Sequence, residues 1–247
     1  MSTIWQGLLD LIFPQPPGCP FCGAPVPGRG LCPGCSGMVA AYRQEPFCAR
    51  CGRFAAHGAV LSSAGQSRLC FDCRKHDWPY ILVRAGGPYE GILKDTIHRF
   101  KYAGRRGLSA QLGQLMLAAA EREPLYATAG LIVPVPLSRE KLRRRGYNQA
   151  GLLARELGRA LNLPVAGGCL VKVIDTPPQA NLDRAARIEN LHGAFKVAKP
   201  EVIAGQVVLV IDDVLTTGST MAEAASTLRE AGARQVLGLT AAAGRYI

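Results

Sequence analysis

The sequence predicts an α/β protein: a parallel sheet flanked by helices, preceded by a small Cys-rich module. Three observations carry this. Eight of the nine cysteines fall in the first 78 of 247 residues. Beyond them, short apolar runs alternate with stretches of helical periodicity, the pattern of parallel strands joined by crossover helices. One run, Val-Val-Leu-Val-Ile at 207–211, shows no polar alternation, as expected of a central strand covered on both faces.

Taken in order, residues 1–13 place Ile4, Trp5, Leu8, Leu9 and Ile12 at spacings that suit a turn or two of amphipathic helix. They lack a basic leading region, and Gln6, Gly7 and Asp10 interrupt the apolar stretch, which is unlike a secretory signal. No apolar run reaches the length of a membrane span. A cytoplasmic protein is expected.

The cysteines then form four C-x-x-C knuckles: Cys19/Cys22, Cys32/Cys35, Cys48/Cys51 and Cys70/Cys73. Two knuckles supply four thiolates, enough for a closed tetrahedral zinc site. One or two structural zinc ions are expected. Sequential pairing (Cys19, Cys22, Cys32, Cys35 and Cys48, Cys51, Cys70, Cys73) is the most economical, and an interleaved pairing stays open. A reducing compartment argues against disulfides. With eight thiolates available, His57 and His76 read as loop residues. The segment shows little helical periodicity and is too small to bury much core, so metal should dominate its folding. The boundary falls near 76–80, giving a module over 1–78 and an α/β domain over 79–247.

In the second part, Ile92, Leu93, Ile97 and Phe100 form one helical stripe, and a basic turn with Lys101, Arg105 and Arg106 follows. Leu112, Leu115 and Met116 mark a helix over 108–121. Residues 131–138 read as a short strand ended by Pro134 and Pro136, which bar further ladder pairing. Five cations follow within seven residues: Arg139, Lys141, Arg143, Arg144 and Arg145. Leu152, Leu153 and Leu157 define a helix near 150–161. Residues 170–174 read as a strand, broken by Thr176, Pro177, Pro178 and Gln179. The polar stretch beyond, with Asn181, Arg184 and Arg187, suits a mobile lid. A helix to about 231 and a strand over 235–241 complete the pattern, and Cys169 reads as core.

The strand at 207–211 leads into Asp212 and Asp213, then Thr216, Thr217, Gly218, Ser219 and Thr220 at a helix start. A Gly/Ser/Thr turn at a helix N-terminus gathers backbone N–H groups and the positive helix end on a phosphate. Carboxylates repel phosphate, so the acid pair suits sugar hydroxyls. A phosphorylated ribose satisfies both. The formal net charge of +11, with 29 Lys and Arg against 18 Asp and Glu, also favours anionic partners: phosphorylated small molecules, nucleic acid or an acidic surface.

Residues 207–220 resemble the phosphoribosyl pyrophosphate (PRPP) motif of the type I phosphoribosyltransferases. Together with Pro134–Gln149, Thr176–Asn190 and Gly193–Val197, downstream of the knuckles, the chain is similar to the ComF family of phosphoribosyltransferase-like proteins with an amino-terminal zinc module. The resemblance implies a type I phosphoribosyltransferase-like sheet. It implies catalytic roles for Asp212, Asp213, Arg139, Thr176, Gln179 and Arg187, and PRPP contacts from Asp212, Asp213, Pro136, Leu137, Ser138 and residues 216–220. Magnesium would arrive with PRPP. The implied activity is phosphoribosyl transfer with pyrophosphate release, linked to DNA uptake and competence. Alternatives are a non-catalytic PRPP or nucleotide sensor whose zinc module docks competence or DNA-processing proteins, and handling of single-stranded DNA. Aromatic residues make up only 6% of the chain, leaving few stacking platforms for the last. The acceptor hood is expected to come from the zinc module. Glutamine amidotransferase activity is not expected, since no cysteine follows Met1.

Overall fold

The computed structural model describes residues 18–28, 30–57, 69–174 and 193–246. The Cys-rich part contributes α1 (Pro33–Tyr42), the short strand β1 (Phe54–Ala55) and α2 (Phe71–Lys75). Then come β2 (Val83–Ala85), α3 (Gly91–Tyr102), α4 (Leu108–Ala120), β3 (Leu131–Pro134), α5 (Arg139–Arg145) and α6 (Gln149–Leu161). The chain continues through β4 (Leu170–Lys172), β5 (Phe195–Val197), α7 (Pro200–Ile203), β6 (Val207–Leu215), α8 (Ser219–Glu230), β7 (Gln235–Ala243) and β8 (Arg245–Tyr246).

The central sheet is parallel, in the order β2-β7-β6-β3. β6 lies inside it, with Leu209 opposite Ile132 on one side and Leu237 on the other. Its apolar run divides by parity, as period-two geometry requires. Val207, Leu209 and Ile211 pack with Leu93, Ile97, Leu112 and Leu153 of α3, α4 and α6. Val208 and Val210 pack with Met221, Ala224 and Leu228 of α8. Full burial on both faces explains the missing alternation.

α1 departs from the sequence expectation of an irregular Cys-rich part. Its Gly- and Ala-rich composition carries little periodicity. The helix is nucleated at its N-terminus, where the Cys32 side chain accepts from the Cys35 N–H and Pro33 takes the first helical position. β4 and β5 form an antiparallel pair of their own, an arrangement the sequence did not announce.

The Cys-rich part shares both cores. Cys19, Phe21 and Cys35 belong to the cluster under α3 and α4, whereas Cys48, Cys51, Cys70 and Cys73 join the cluster under α8. β1 pairs in parallel with β8. Beside that seam, Arg245 binds Glu45 at 2.8 and 3.0 Å and Glu90 at 2.6 and 2.9 Å. Among the described residues, no helix is long and apolar enough to cross a membrane.

Candidate functional site

The cysteines gather as Cys19, Cys22, Cys32, Cys35 and as Cys48, Cys51, Cys70, Cys73, and within each group all four sulfurs lie within 4.8 Å of one another. A zinc–sulfur bond of about 2.3 Å places tetrahedral sulfurs about 3.8 Å apart. The Cys22–Cys32 separation of 3.5 Å and the Cys51–Cys70 separation of 3.8 Å fit that geometry, and all nine cysteines are free of disulfide bonds. The sequential pairing is the one formed. Backbone N–H groups support the thiolates: Cys32 donates to Cys19 Sγ at 3.4 Å, and Cys70 to Cys48 Sγ at 3.3 Å. His57 instead faces Glu90 at 3.3 Å, and His76 lies edge-on to Trp78.

The second group has a component that spacing did not reveal. Arg53, only 7% exposed, donates to Cys51 Sγ at 3.4 Å and Cys70 Sγ at 3.2 Å, and also pairs with Asp72. Four thiolates around a divalent zinc leave two net negative charges, and the single positive charge of the guanidinium offsets part of them. Arg53→Met is expected to lower zinc affinity at this group by about 10- to 100-fold. Competition with a chromophoric chelator measures it.

At the carboxyl end of β6, Asp212 and Asp213 reach a cleft of ≈ 260 Å³. Pro136, Leu137, Ser138, Thr216 and Thr220 line it with them, together with Lys101, Lys141, Arg145 and Lys172. Two acids thus face four cations. The acids are not equivalent. Asp213 accepts from Lys101 Nζ at 2.8 Å, whereas the Asp212 carboxylate accepts the Asp213 N–H at 2.8 Å and lies against the turn before α8. Burial, and then the neighbouring Asp213, push the Asp212 carboxyl up to about 7. Burial pulls Lys101 down, but the Asp213 carboxylate outweighs it and leaves Lys101 raised.

Thr217, Gly218 and Ser219 form a smaller concavity beside the cleft. Gly218 sits at φ +88°, a left-handed conformation that only glycine adopts without strain. Thr217 Oγ1 lies 2.9 Å from Ser219 Oγ, and the Ser219 N–H turns toward it at 3.4 Å. Tyr80 underlies the turn, its hydroxyl 3.5 Å from where a Cβ on Gly218 would lie.

On the opposite wall, Ser138 caps α5 by accepting the Lys141 N–H at 3.3 Å. Helical spacing then sorts the five cations. Lys141 and Arg145 share the cleft face, whereas Arg139 and Leu142 line an adjoining hollow with Leu170 and Val171. Arg139 is therefore not brought to the acid pair. Arg145 stacks on Tyr102 and donates to Gln149 Oε1 at 3.0 Å and to the Tyr102 hydroxyl at 3.1 Å. Asn148 Nδ2 holds the Val135 carbonyl at 3.0 Å, bracing the turn that carries residues 136–138. Thr176, Gln179 and Arg187 lie outside the described residues. The described lining of the cleft runs from Tyr89 to Thr220 and includes nothing from the Cys-rich part, because both cysteine groups are packed in the cores beside the sheet. The expected zinc-module hood is not found there.

Lys172 is not singled out by the sequence, and Lys101 is read there only as part of a basic turn that faces either an anion or solvent. For Lys101 a signal was present: it lies in the last turn of an amphipathic helix whose apolar stripe stops at Phe100, one residue earlier.

Family models match over most of this architecture. A double zinc ribbon domain aligns with residues 8–74 and a phosphoribosyl transferase domain with residues 142–244. Competence protein F of Haemophilus influenzae is 34% identical over 213 residues, spanning 84% of this chain and 88% of its own. DNA utilization protein YhgH of Escherichia coli K12 is 32% identical over 214 residues, spanning 84% and 87%. Competence protein ComFC of Bacillus subtilis is 29% identical over 171 residues, spanning 66% and 67%. With cysteine groups of zinc geometry in front of a parallel phosphoribosyltransferase-like sheet, the chain belongs to the ComF family of competence protein F.

Proposed function

We propose that the cleft binds PRPP and that the chain, read as a zinc module over 1–78 and a transferase domain over 79–247, transfers its phosphoribosyl group with release of pyrophosphate. The observation that carries this reading is the convergence of the acid pair and four cations on one cleft, with the Gly218 turn forming a concavity beside it. Residues 216–220 would bind the 5′-phosphate through N–H and hydroxyl donors. Asp212 and Asp213 would accept the ribose hydroxyls. The turn at 136–138, with Lys141 and Arg145, would stabilise the departing pyrophosphate, while the bond from its oxygen to the anomeric carbon breaks and the acceptor's bond forms. Arg139, Thr176, Gln179 and Arg187 are proposed to complete the site from the α5 turn and the segment beyond β4. Among the described residues, groups of three or more ligand-type side chains that could hold a metal consist of cysteines alone, and magnesium is commonly held by one or two carboxylates together with substrate phosphates. Magnesium would come largely with the oxygens of PRPP and water.

The names of the relatives, competence and DNA utilization, support DNA uptake or DNA processing as the process served, with single-stranded DNA or a DNA-processing protein as partner. In that setting the site would act as a sensor if it binds without turnover.

Calorimetric titration with PRPP and magnesium tests the reading, alongside pyrophosphate release over a panel of nucleobases and amines. Binding with release supports transfer, and binding without it supports the sensor. No heat refutes the assignment of the cleft. Because ionised Asp212 would be the acceptor and burial pushes its carboxyl up to about 7, affinity should weaken as pH falls below 7. The slope should approach about tenfold per unit. A pH-independent affinity between 6 and 8 would remove Asp212 from the ribose site.

A further inference from the structure

Lys101 is the cation closest to the acid pair, and it belongs to neither the Gly218 turn nor the basic helix α5. It reaches in from the last turn of α3, its side chain 17% exposed, and meets Asp213, 11% exposed. It also stands at a boundary. It lines the cleft with Asp212, Asp213, Ser138, Lys141 and Arg145, and a neighbouring hollow of ≈ 390 Å³ with Tyr102, Gly104, Arg144 and Arg145. A buried ion pair is a poor stabilising device, because an apolar pair of similar volume serves as well without the desolvation cost. One placed where a carboxylate must be vacated for a ligand has a different use. The lysine stem is flexible and its ammonium offers three donors without a fixed plane, which suits exchange between partners.

We propose, building on the PRPP reading above, that Lys101 is an exchangeable counter-ion: it leaves Asp213 for the pyrophosphate arm of the ligand and so frees Asp213 to accept a ribose hydroxyl. The cleft then distinguishes a sugar with a phosphorylated anomeric arm from one with a 5′-phosphate alone. An empty cleft keeps its acids neutralised, and ligand charge unlocks the pair. The other charged and titratable groups facing it are Tyr89 before α3, Tyr102 at the end of α3, Lys141, Arg144 and Arg145 from α5, Lys172 from β4 and Asp212 from β6. They supply the remaining field and do not replace the contact to Asp213.

Titration of wild type, Lys101→Met and Lys101→Arg with PRPP and with ribose 5-phosphate, at pH 6 to 8, tests this. Lys101→Met should lose PRPP affinity by about 10- to 100-fold, the range for a lost charge-assisted contact. Ribose 5-phosphate affinity should change by less than about threefold. The pH midpoint of PRPP binding should move upward, since the acids lose their nearest positive charge. Lys101→Arg should keep most of the discrimination. Should Lys101→Met fail to fold, Lys101→Gln, which retains a donor to Asp213, carries the same comparison. Equal losses for both ligands with an unmoved midpoint would reduce Lys101 to a structural tie and overturn the inference. Wild type that binds PRPP, with variants that match it, refutes only this inference. Wild type that binds no PRPP refutes the reading of the cleft and this inference with it.

Discussion

Removing metal from the second cysteine group is expected to unfold the central sheet together with the Cys-rich part. Cys48, Cys51, Cys70 and Cys73 are buried in one cluster with Tyr80, Val83, Val133, Val208 and Val210. Their loss is therefore felt by strands β2, β3 and β6 directly. The magnitudes point the same way. Structural zinc supplies about 10–16 kcal/mol of apparent free energy to small zinc modules, while whole domains are stable by only about 5–15 kcal/mol. Metal-free, four sulfurs within 4.8 Å must take up protons and still face the Arg53 guanidinium. Cys70→Ser, or a strong chelator, should give a single thermal transition tens of degrees lower and abolish PRPP binding. The first group should tolerate loss better, because Cys22 is exposed and Cys32 half-buried. A Cys70→Ser chain that retains a folded α/β portion, seen as a separate high-temperature transition, would show that the two parts are energetically independent.

Asp212→Asn is expected to separate stability from function. The Asp212 carboxyl is pushed above its ordinary range by burial and by Asp213. The folded chain therefore holds a proton that the unfolded chain has lost between about pH 4 and 7. Stability falls as pH rises through that window and stays lower above it. Asparagine cannot ionise, so it removes the loss. The variant should match wild type near pH 4 and exceed it at pH 8, with a melting temperature about 2–4 °C higher for each kcal/mol recovered. Its PRPP affinity at pH 8 should drop by about 100-fold, because the charged acceptor proposed for a ribose hydroxyl is gone. A variant that is both less stable at pH 8 and unimpaired in PRPP binding would contradict both halves. Natural sites often keep such unfavourable groups where a ligand needs them.

Much of this molecule is legible in its residues, and the rest is hidden for definable reasons. The run at 207–211 and the turn at 216–220 are local signals, and the structure places them as a central strand and a helix start. The knuckle spacings likewise mark the eight ligands and favour sequential grouping, but the interleaved pairing is closed only by the structure. Contacts between distant segments are another matter. Nothing near Lys101 announces Asp213, which lies on a different element, and nothing near Arg53 announces that it faces Cys70. The divergence of Asp212 and Asp213 follows from strand geometry once β6 is known to continue to Leu215, but the apolar run alone suggests that the strand stops before them. The short strands β1, β2 and β8 escape for the same reason. Two or three residues carry too little pattern, and their existence depends on a partner.

The pairing of β1 with β8 joins residues about 190 positions apart, as the Arg245 contact to the Ala55 carbonyl records. A ribosome adding about 5–20 residues per second exposes Cys48, Cys51, Cys70 and Cys73 on the order of ten seconds or more before Tyr246 of β8, which packs against their cluster, emerges. During that interval the thiols are open to oxidants and to competing ions. Loading with the correct metal is thus a race run against translation, and slow codons or scarce zinc late in the message would be felt first at the beginning of the chain.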